Sequence, residues 1–279
     1  MFSQKPGAIG IFDTGYGGLT IFEKIAQLLP EYDYIYLGDN ARAPYGTRSF
    51  DVVYEFTLQS VRKLFEMGCQ LVVLACNTAS AKALRSIQQK DLPEMDGNRR
   101  VLGIIRPTVE ALGDLVHTPR HIGILGTAGT IQSGSYTLEI QKLFPNIQVT
   151  GEACPMWVPL VENNEYNSAG ADFFIRKNID NLLNSDPKID TIILACTHYP
   201  ILLEKIKKFV NPDINIIAQG NIVARSLQKY LQNHPEIREN CTKNGKRSFY
   251  TTEEVQKFSE LASVFLKNTI SAKRIVLNF

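Results

Sequence analysis

Short apolar runs rich in β-branched residues alternate along this chain with longer segments of helical periodicity. Runs that are bounded by turn residues and separated by helices are typical of strands buried on both faces of a parallel sheet. The alternation therefore predicts an α/β protein, with parallel sheets flanked by helices. The runs lie at residues 8–12, 34–37, 70–75, 101–105, 121–125, 191–195 and 214–218.

Two pairs of these segments match each other in sequence. Residues 9–15 (IGIFDTG) resemble residues 122–128 (IGILGTA), and residues 71–76 (LVVLAC) resemble residues 191–196 (TIILAC). The members of each pair are separated by similar numbers of residues, as expected for two copies of one α/β unit that differ by a short insertion. We therefore expect two pseudo-symmetric domains with a cleft between them.

Two breaks indicate where the chain crosses between these domains. The polar residues 91–100 precede the second copy, and the sequence Asn-Pro-Asp at residues 211–213 follows it. Such residues interrupt helices and strands. This predicts a first domain from residues 1–104 plus 215–279 and a second from residues 105–214.

Composition and charge narrow the classes of partner. The 279 residues are 44% hydrophobic and carry a formal net charge of +2 without a long run of like charges, which argues against nucleic acid. No apolar run approaches the roughly 18 residues that a membrane-spanning helix needs, and the N-terminal sequence lacks the apolar core of a signal peptide. We expect a cytoplasmic protein that does not contact membranes.

Five cysteines are spread along the chain without a C-x-x-C pair, so they are expected to be free thiols. Two of them, Cys76 and Cys196, follow the matched strands directly. Ligands bind at this carboxyl edge of parallel sheets, and the start of a following helix favours thiolate over thiol. Either cysteine alone is better interpreted as a small core residue, but the pairing across the repeat favours a shared catalytic role.

Two thiols at equivalent edges of facing domains could flank one carbon atom from opposite sides. One thiol would remove a proton while the other supplies one, which inverts a stereocentre without a cofactor. Asp13 could accept a proton beside Cys76, although a helix N-cap is an equally good interpretation of this aspartate. His198 could assist the Cys196 thiolate, or it could be a structural histidine.

Nucleotide and metal sites are weaker interpretations. The glycine cluster at residues 15–18 resembles a dinucleotide loop only loosely, because its third glycine would fall at Thr20. A metal at Cys196 and His198 would need a third ligand, and the other histidines lack complementary spacing. We therefore expect neither a metal nor a cofactor. The other histidines are His117, His121 and His234.

Four motifs carry a resemblance to a known family. They are FDTGYGGL at residues 12–19, LGDNARAPYG at 37–46, ACNTA at 75–79 and ACTHYP at 195–200. In this order they resemble the motifs of glutamate racemases, in the aspartate/glutamate racemase superfamily. Further similarity at residues 123–130 and 153–162 extends the resemblance over roughly residues 8–220.

The resemblance implies cofactor-independent interconversion of L- and D-glutamate, which would supply D-glutamate for peptidoglycan. It assigns Cys76 and Cys196 as the two acid/base residues, assisted by Asp13 and His198, with Cys196 removing the α-proton of the L-enantiomer. The small-molecule partner is then glutamate, and a homodimer is left open. The implied substrate contacts are Asp13, Thr14, Tyr45, Gly46, Asn77, Thr78, Thr197 and His198, with Thr127 or Thr130 joining them.

The chain departs from the family pattern at several positions. Thr14 stands where serine is usual, and Asn40 stands where threonine is usual. Residues 219–221 (QGN) replace a turn that more often contains aspartate, and residues 105–108 (IRPT) replace a proline–glycine pair. The last difference could alter the hinge between the domains or an interface.

Three alternatives remain open at this point. An aspartate racemase of the same superfamily would act on a substrate shorter by one methylene, which an apolar pocket distinguishes by only about 1–3 kcal/mol. A cysteine hydrolase would use Cys196 with His198 and would not need Cys76. A hinged anion-binding module would explain the paired sheets but would give the thiols no task.

Overall fold

A computed structural model describes residues 5–115, 121–266 and 270–277. Within these ranges ten strands form two sheets, in which every strand pairing is parallel. The strands are β1 (Ile9–Asp13), β2 (Tyr34–Gly38), β3 (Leu71–Leu74), β4 (Arg100–Gly103), β5 (His121–Gly126), β6 (Gln148–Ala153), β7 (Ile189–Ala195), β8 (Asn215–Ile217), β9 (Arg247–Thr251) and β10 (Ala272–Arg274).

Helices connect these strands and cover the sheets. The α-helices are α1 (Leu19–Leu28), α2 (Phe50–Glu66), α3 (Asn77–Lys82), α4 (Leu84–Ser86), α5 (Leu92–Met95), α6 (Ile105–Glu110), α7 (Leu112–Leu115), α8 (Ala128–Gln132), α9 (Ser135–Leu143), α10 (Trp157–Glu162), α11 (Ala169–Ser185), α12 (Leu203–Phe209), α13 (Gly220–Asn233), α14 (Pro235–Arg238) and α15 (Val255–Leu266). Two 3₁₀ segments span Asn40–Arg42 and Tyr199–Leu202, and a π-helical segment spans Ile87–Asp91.

The two sheets share a common strand order. The first sheet runs β10-β9-β2-β1-β3-β4, and the second runs β6-β5-β7-β8. The part β2-β1-β3-β4 repeats the order β6-β5-β7-β8, so β1 corresponds to β5 and β3 to β7, as the matched sequence segments predict. The expected fold class, two parallel sheets flanked by helices, is confirmed.

The return crossing differs from the expectation in one detail. Residues 215–217 form β8, which pairs with β7 in the second sheet instead of belonging with the first. The chain therefore returns to the first sheet after Ile217, because this apolar run completes the edge of the second sheet. β9 and β10 then extend the first sheet beside β2. The division into two domains itself stays a prediction.

The apolar strands form the cores. Ile9 and Ile11 of β1, Val72 of β3 and Ile192 and Ile193 of β7 are completely buried. Because strands covered on both faces hold their ends rigidly, the residues that follow them are well positioned for a binding site. Within the described ranges no helix is long and apolar enough to cross a membrane.

Candidate active site

A cavity of about 520 Å³ opens at the carboxyl ends of strands from both sheets. Five of its lining residues closely follow five different strands, namely Thr14, Cys76, Thr127, Cys154 and Cys196. The lining also includes loop residues 43–47 and the C-terminal residues Glu253, Lys257 and Leu261. The topology thus brings the two cysteines of the repeat to one cavity.

Cys76 occupies the N-cap of α3. Its Sγ accepts a hydrogen bond from Oγ1 of Thr14 at 3.3 Å and one from the backbone N–H of Ala79 at 3.5 Å. Burial raises the pKa of the Cys76 thiol to about 12. The nearby Asp13 carboxylate contributes to this rise, whereas the two hydrogen bonds oppose it. Cys76 is therefore a thiol at neutral pH, and it can donate a proton.

Cys196 has a different environment, because it lies beside His198. Its Sγ is 3.9 Å from Nδ1 of His198, and Nε2 of the same ring is 2.9 Å from Oε1 of Glu162. Burial alone would lower the pKa of His198, but hydrogen bonding and charge interactions with Cys196 and Glu162 raise it to about 10. His198 is thus an imidazolium at neutral pH, and its ring places a positive charge beside the sulfur of Cys196.

Asp13 lies behind the cavity wall. It is the last residue of β1, is 1% exposed and is not among the lining residues. Its Oδ2 accepts the backbone N–H of Gly15 at 3.0 Å, and burial raises the pKa of this carboxyl against the opposing charge of His198. The helix-cap interpretation is wrong, because α1 begins after Gly18 without a side-chain cap.

Three threonine hydroxyls form a cluster where the two halves meet. Oγ1 of Thr78 lies 2.9 Å from that of Thr127 and 3.3 Å from that of Thr130, and the last two are 3.0 Å apart. Thr78 and Thr127 line the cavity, whereas Thr130 does not. Of the two threonines that the resemblance offered, Thr127 is the one at the surface of the cavity.

The loop that carries Tyr45 and Gly46 lies against the second half. The backbone N–H of Gly129 donates to the carbonyl of Gly46 at 2.7 Å, and a Cβ at position 46 would come 2.9 Å from Cβ of Thr127. Glycine is therefore needed for this close approach. Tyr45 also lines the cavity, but its hydroxyl donates to Asp39.

Asn77 and Thr197 lie beside the two cysteines and line the cavity. Both side chains are almost completely buried. The amide of Asn77 is hydrogen-bonded to Gln219 and to Tyr136, both of which are far from Asn77 in the sequence. The carbonyl of Thr197 accepts a hydrogen bond from Oγ1 of Thr20 at 3.1 Å, which ties this segment to the start of α1.

The described part of the chain contains no group of three or more His, Cys, Asp or Glu side chains that could hold a metal ion. Near Cys196 and His198 there is one carboxylate, that of Glu162, and it contacts the ring of His198 and not the sulfur. His117, one of the histidines considered from the sequence, lies outside the described residues.

Comparison with known proteins decides the family. The sequence profile of the Asp/Glu/hydantoin racemase family matches residues 9–227, and so includes both cysteines. The chain belongs to this family. It is therefore a racemase, an enzyme of the isomerase class.

Relatives of this racemase match it over nearly its whole length. The glutamate racemase of Streptococcus agalactiae (strain NEM316) is 38% identical over 271 residues, which cover 96% of this chain and 98% of the relative. The structure of glutamate racemase isoform RacE1 from Bacillus anthracis is 34% identical, with a TM-score of 0.88 and coverage of 98% and 99%. Glutamate racemase from Francisella tularensis in complex with D-glutamate is 31% identical, with a TM-score of 0.85 and coverage of 98% of each chain.

Sequence reasoning missed several residues that shape the site of this racemase. Glu162 is the partner of His198, and its place at the end of the similar segment 153–162 is the one sequence signal that marks it. Gln219 contacts Asn77, a role that its departure from the family pattern does not indicate. Lys257 of α15 lines the cavity, but no family motif in the C-terminal segment marks it.

Proposed function

We propose that this racemase interconverts L- and D-glutamate by a two-base mechanism in which Cys76 and Cys196 exchange the α-proton. The observation that carries the proposal is that both thiols line one cavity, each at the end of a corresponding strand of the repeat. Two acid/base groups that approach one carbon from opposite sides invert its configuration. The proposal assigns no cofactor, because the two sulfurs supply both proton transfers.

Glutamate as the substrate is supported by the relatives. The similar proteins from Streptococcus agalactiae and Bacillus anthracis are glutamate racemases, and the Francisella tularensis structure holds D-glutamate. The cavity also has a lining suited to a dicarboxylate, because hydroxyl groups and backbone N–H groups donate to carboxylate oxygens. The hydroxyl-bearing residues of the lining nearest the cysteines are Thr14, Thr78, Thr127 and Thr197.

The different surroundings of the two sulfurs suit a reaction that starts from L-glutamate. Cys196 lies beside the imidazolium of His198 and would take the α-proton as a thiolate, as the family resemblance implies. The raised pKa of Cys76 keeps this residue a thiol, which would donate its proton to the opposite face of the planar intermediate. After the transfer Cys196 is the thiol and Cys76 is the thiolate, which is the starting state for D-glutamate.

His198 and Asp13 would assist these two steps. The imidazolium of His198 stabilises the thiolate of Cys196, and Glu162 stabilises the imidazolium. Asp13 has a raised pKa and lies near Cys76, so its carboxyl group can take up a proton when Cys76 has to form a thiolate. Because Asp13 does not line the cavity, its assistance would act on Cys76 and not on the substrate.

The test is isotope exchange in deuterated water. The purified racemase is incubated with L- or D-glutamate, without pyridoxal phosphate, while optical rotation and α-deuterium are followed together. A two-base mechanism predicts that the product enantiomer carries deuterium from its first appearance, while the remaining substrate carries little. Absence of exchange from both glutamate enantiomers would overturn the proposal. Faster turnover of aspartate than of glutamate would show that aspartate is the substrate instead.

The biological role follows from the product. We propose that the enzyme supplies D-glutamate for peptidoglycan, and that it does so in the cytoplasm. Depletion of the protein in its host should then halt growth, and added D-glutamate should restore growth if the cells can import it. Growth without the protein and without D-glutamate would contradict this role.

A further inference from the structure

Two departures from the family pattern, at Thr108 and at Gln219, contact each other. Nε2 of Gln219 donates to Oγ1 of Thr108 at 2.8 Å, and both side chains are buried. Thr108 lies on α6, where the chain enters the second half, and Gln219 precedes α13, where the chain returns to the first. The pair therefore joins the two crossings between the sheets.

The contact continues to the active site through a closed ring of hydrogen bonds. Nδ2 of Asn77 donates to Oε1 of Gln219 at 2.7 Å, Nε2 of Gln219 donates to the hydroxyl of Tyr136 at 2.7 Å, and this hydroxyl donates to Oδ1 of Asn77 at 2.7 Å. All three side chains are buried. Only Asn77 of this set lines the cavity, where it lies next to Cys76.

The donor and acceptor of every hydrogen bond in this network follow from the contact between Thr108 and the carbonyl of Ile104. The carbonyl of Ile104 can only accept, so the hydroxyl of Thr108, at 2.7 Å, must donate to it. Oγ1 of Thr108 is then left as an acceptor, which requires the N–H₂ side of the Gln219 amide to face it. Oε1 of Gln219 consequently faces Asn77, which must present its Nδ2.

We infer that Thr108 and Gln219 are positioning residues that hold the Asn77 amide in one orientation at the cavity. An amide has two nearly isosteric orientations, and the hydrogen-bond partners decide between them. With Nδ2 held toward Gln219, the second hydrogen of this group remains a donor for a substrate carboxylate. The inference rests on the proposed function for the identity of that substrate.

A reversed Asn77 amide would be unfavourable on two counts. It would place its Oδ1 against Oε1 of Gln219, so two buried acceptors would meet without a proton between them. It would also direct an acceptor instead of a donor toward an anionic substrate. Loss of Thr108 or Gln219 should therefore weaken substrate binding more than it slows the proton transfers between the sulfurs and the α-carbon.

The kinetic test compares Gln219→Leu and Thr108→Val with Thr57→Val. Thr57 is a matched control: like Thr108, it is completely buried and donates its hydroxyl to the carbonyl four residues earlier, at 2.6 Å, but on α2 away from the cavity. We expect both network variants to raise the KM for each glutamate enantiomer about tenfold or more, with a smaller change in kcat. Thr57→Val should leave KM unchanged, and Thr108→Ser should restore it.

The double variant tests whether the two residues act as one unit. Combining Gln219→Leu with Thr108→Val should raise KM no further than Gln219→Leu does alone. An unchanged KM in the single variants, or a double effect equal to the product of the single effects, would overturn the inference. If Gln219→Leu fails to fold, Thr108→Val, Thr108→Ser and Thr57→Val still decide the question.

A second measurement does not depend on turnover. In the wild type the Asn77 side-chain hydrogen that donates to Gln219 should exchange slowly with solvent, because it lies within a buried network, and NMR can follow this exchange. Gln219→Leu and Thr108→Val should accelerate it, while Thr57→Val should not. If the wild type proved unable to racemise glutamate, the proposed function would fail, but unaltered Asn77 exchange in both network variants would separately overturn the positioning role.

Discussion

Oε1 of Glu162 lies 2.9 Å from Nε2 of His198, on the side of the ring opposite to the 3.9 Å contact with Cys196. The imidazole thus bridges the carboxylate of Glu162 and the sulfur of Cys196, which are 34 positions apart along the chain. Both partners stabilise the protonated ring and raise the pKa of His198. Glu162 therefore helps to hold a positive charge beside Cys196 without contacting the sulfur.

Glu162→Gln should weaken this control. Glutamine keeps an acceptor for Nε2 of His198 but removes the negative charge, so the pKa of His198 should fall below its value of about 10. In the pH profile of kcat/KM for L-glutamate, the alkaline limb should move to lower pH, and activity at pH 8 should fall about tenfold. Glu165→Gln is the control, because Glu165 is exposed and does not line the cavity. An alkaline limb that stayed in place would contradict the role of Glu162.

The raised pKa of His198 also predicts how stability depends on pH. A folded-state pKa of about 10 exceeds the ordinary value of 6.5, so the folded protein binds a proton that the unfolded chain releases between these values. The resulting stability is fully present below about pH 6.5 and is lost as the pH rises through 10. Urea unfolding should therefore show a smaller decline between pH 6.5 and 10 in His198→Asn than in the wild type. The control is His234→Asn, at a partly exposed ring that does not line the cavity, and its stability should decline with pH as that of the wild type does.

The two cysteines should be individually indispensable for racemisation. Cys76→Ser and Cys196→Ser each replace one acid/base group by a hydroxyl that is a far weaker acid, so the turnover of both enantiomers should fall about 10²–10⁴-fold or more. Polarimetry provides the measurement, and Cys241→Ser, buried away from the cavity, provides the control. Intact turnover in Cys76→Ser would instead favour chemistry that needs only Cys196 and His198.

Gly17 should not tolerate a side chain. A Cβ at this position would lie 2.4 Å from Nδ1 of His198 and 2.4 Å from Oγ1 of Thr197, well inside van der Waals contact. Gly17→Ala should displace these groups and reduce kcat/KM about tenfold or more, because small misplacements of reacting groups are costly. Gly97→Ala, where a Cβ would meet nothing within 4 Å, should retain full activity. Equal activity of the two variants would show that the loop adjusts freely.

The matching segments of the sequence are sufficient to predict which strands correspond and which two cysteines lie at one cavity. Cys76 and Cys196 were identified as a pair because each follows a strand that has a counterpart in the other half, and parallel strands align their carboxyl ends. Asp13 and Thr130 were expected to contact the substrate, but neither lines the cavity. Asp13 does not line the cavity because side chains alternate between the two faces at the end of a strand, so that Thr14 and not Asp13 lies toward the cavity.

The α/β class, the repeat and the pairing of the two cysteines can be predicted from the amino-acid sequence, since all three depend on local periodicity and on matching segments. The partners of these groups depend instead on how the folded chain brings distant residues together. Glu162 meets His198, and Gln219 meets Thr108 and Asn77, because separate crossings of the chain converge at one sheet edge. Hydrogen bonds between residues so distant in sequence leave no periodic pattern, and the pKa values of the buried groups follow from contacts that form only on folding.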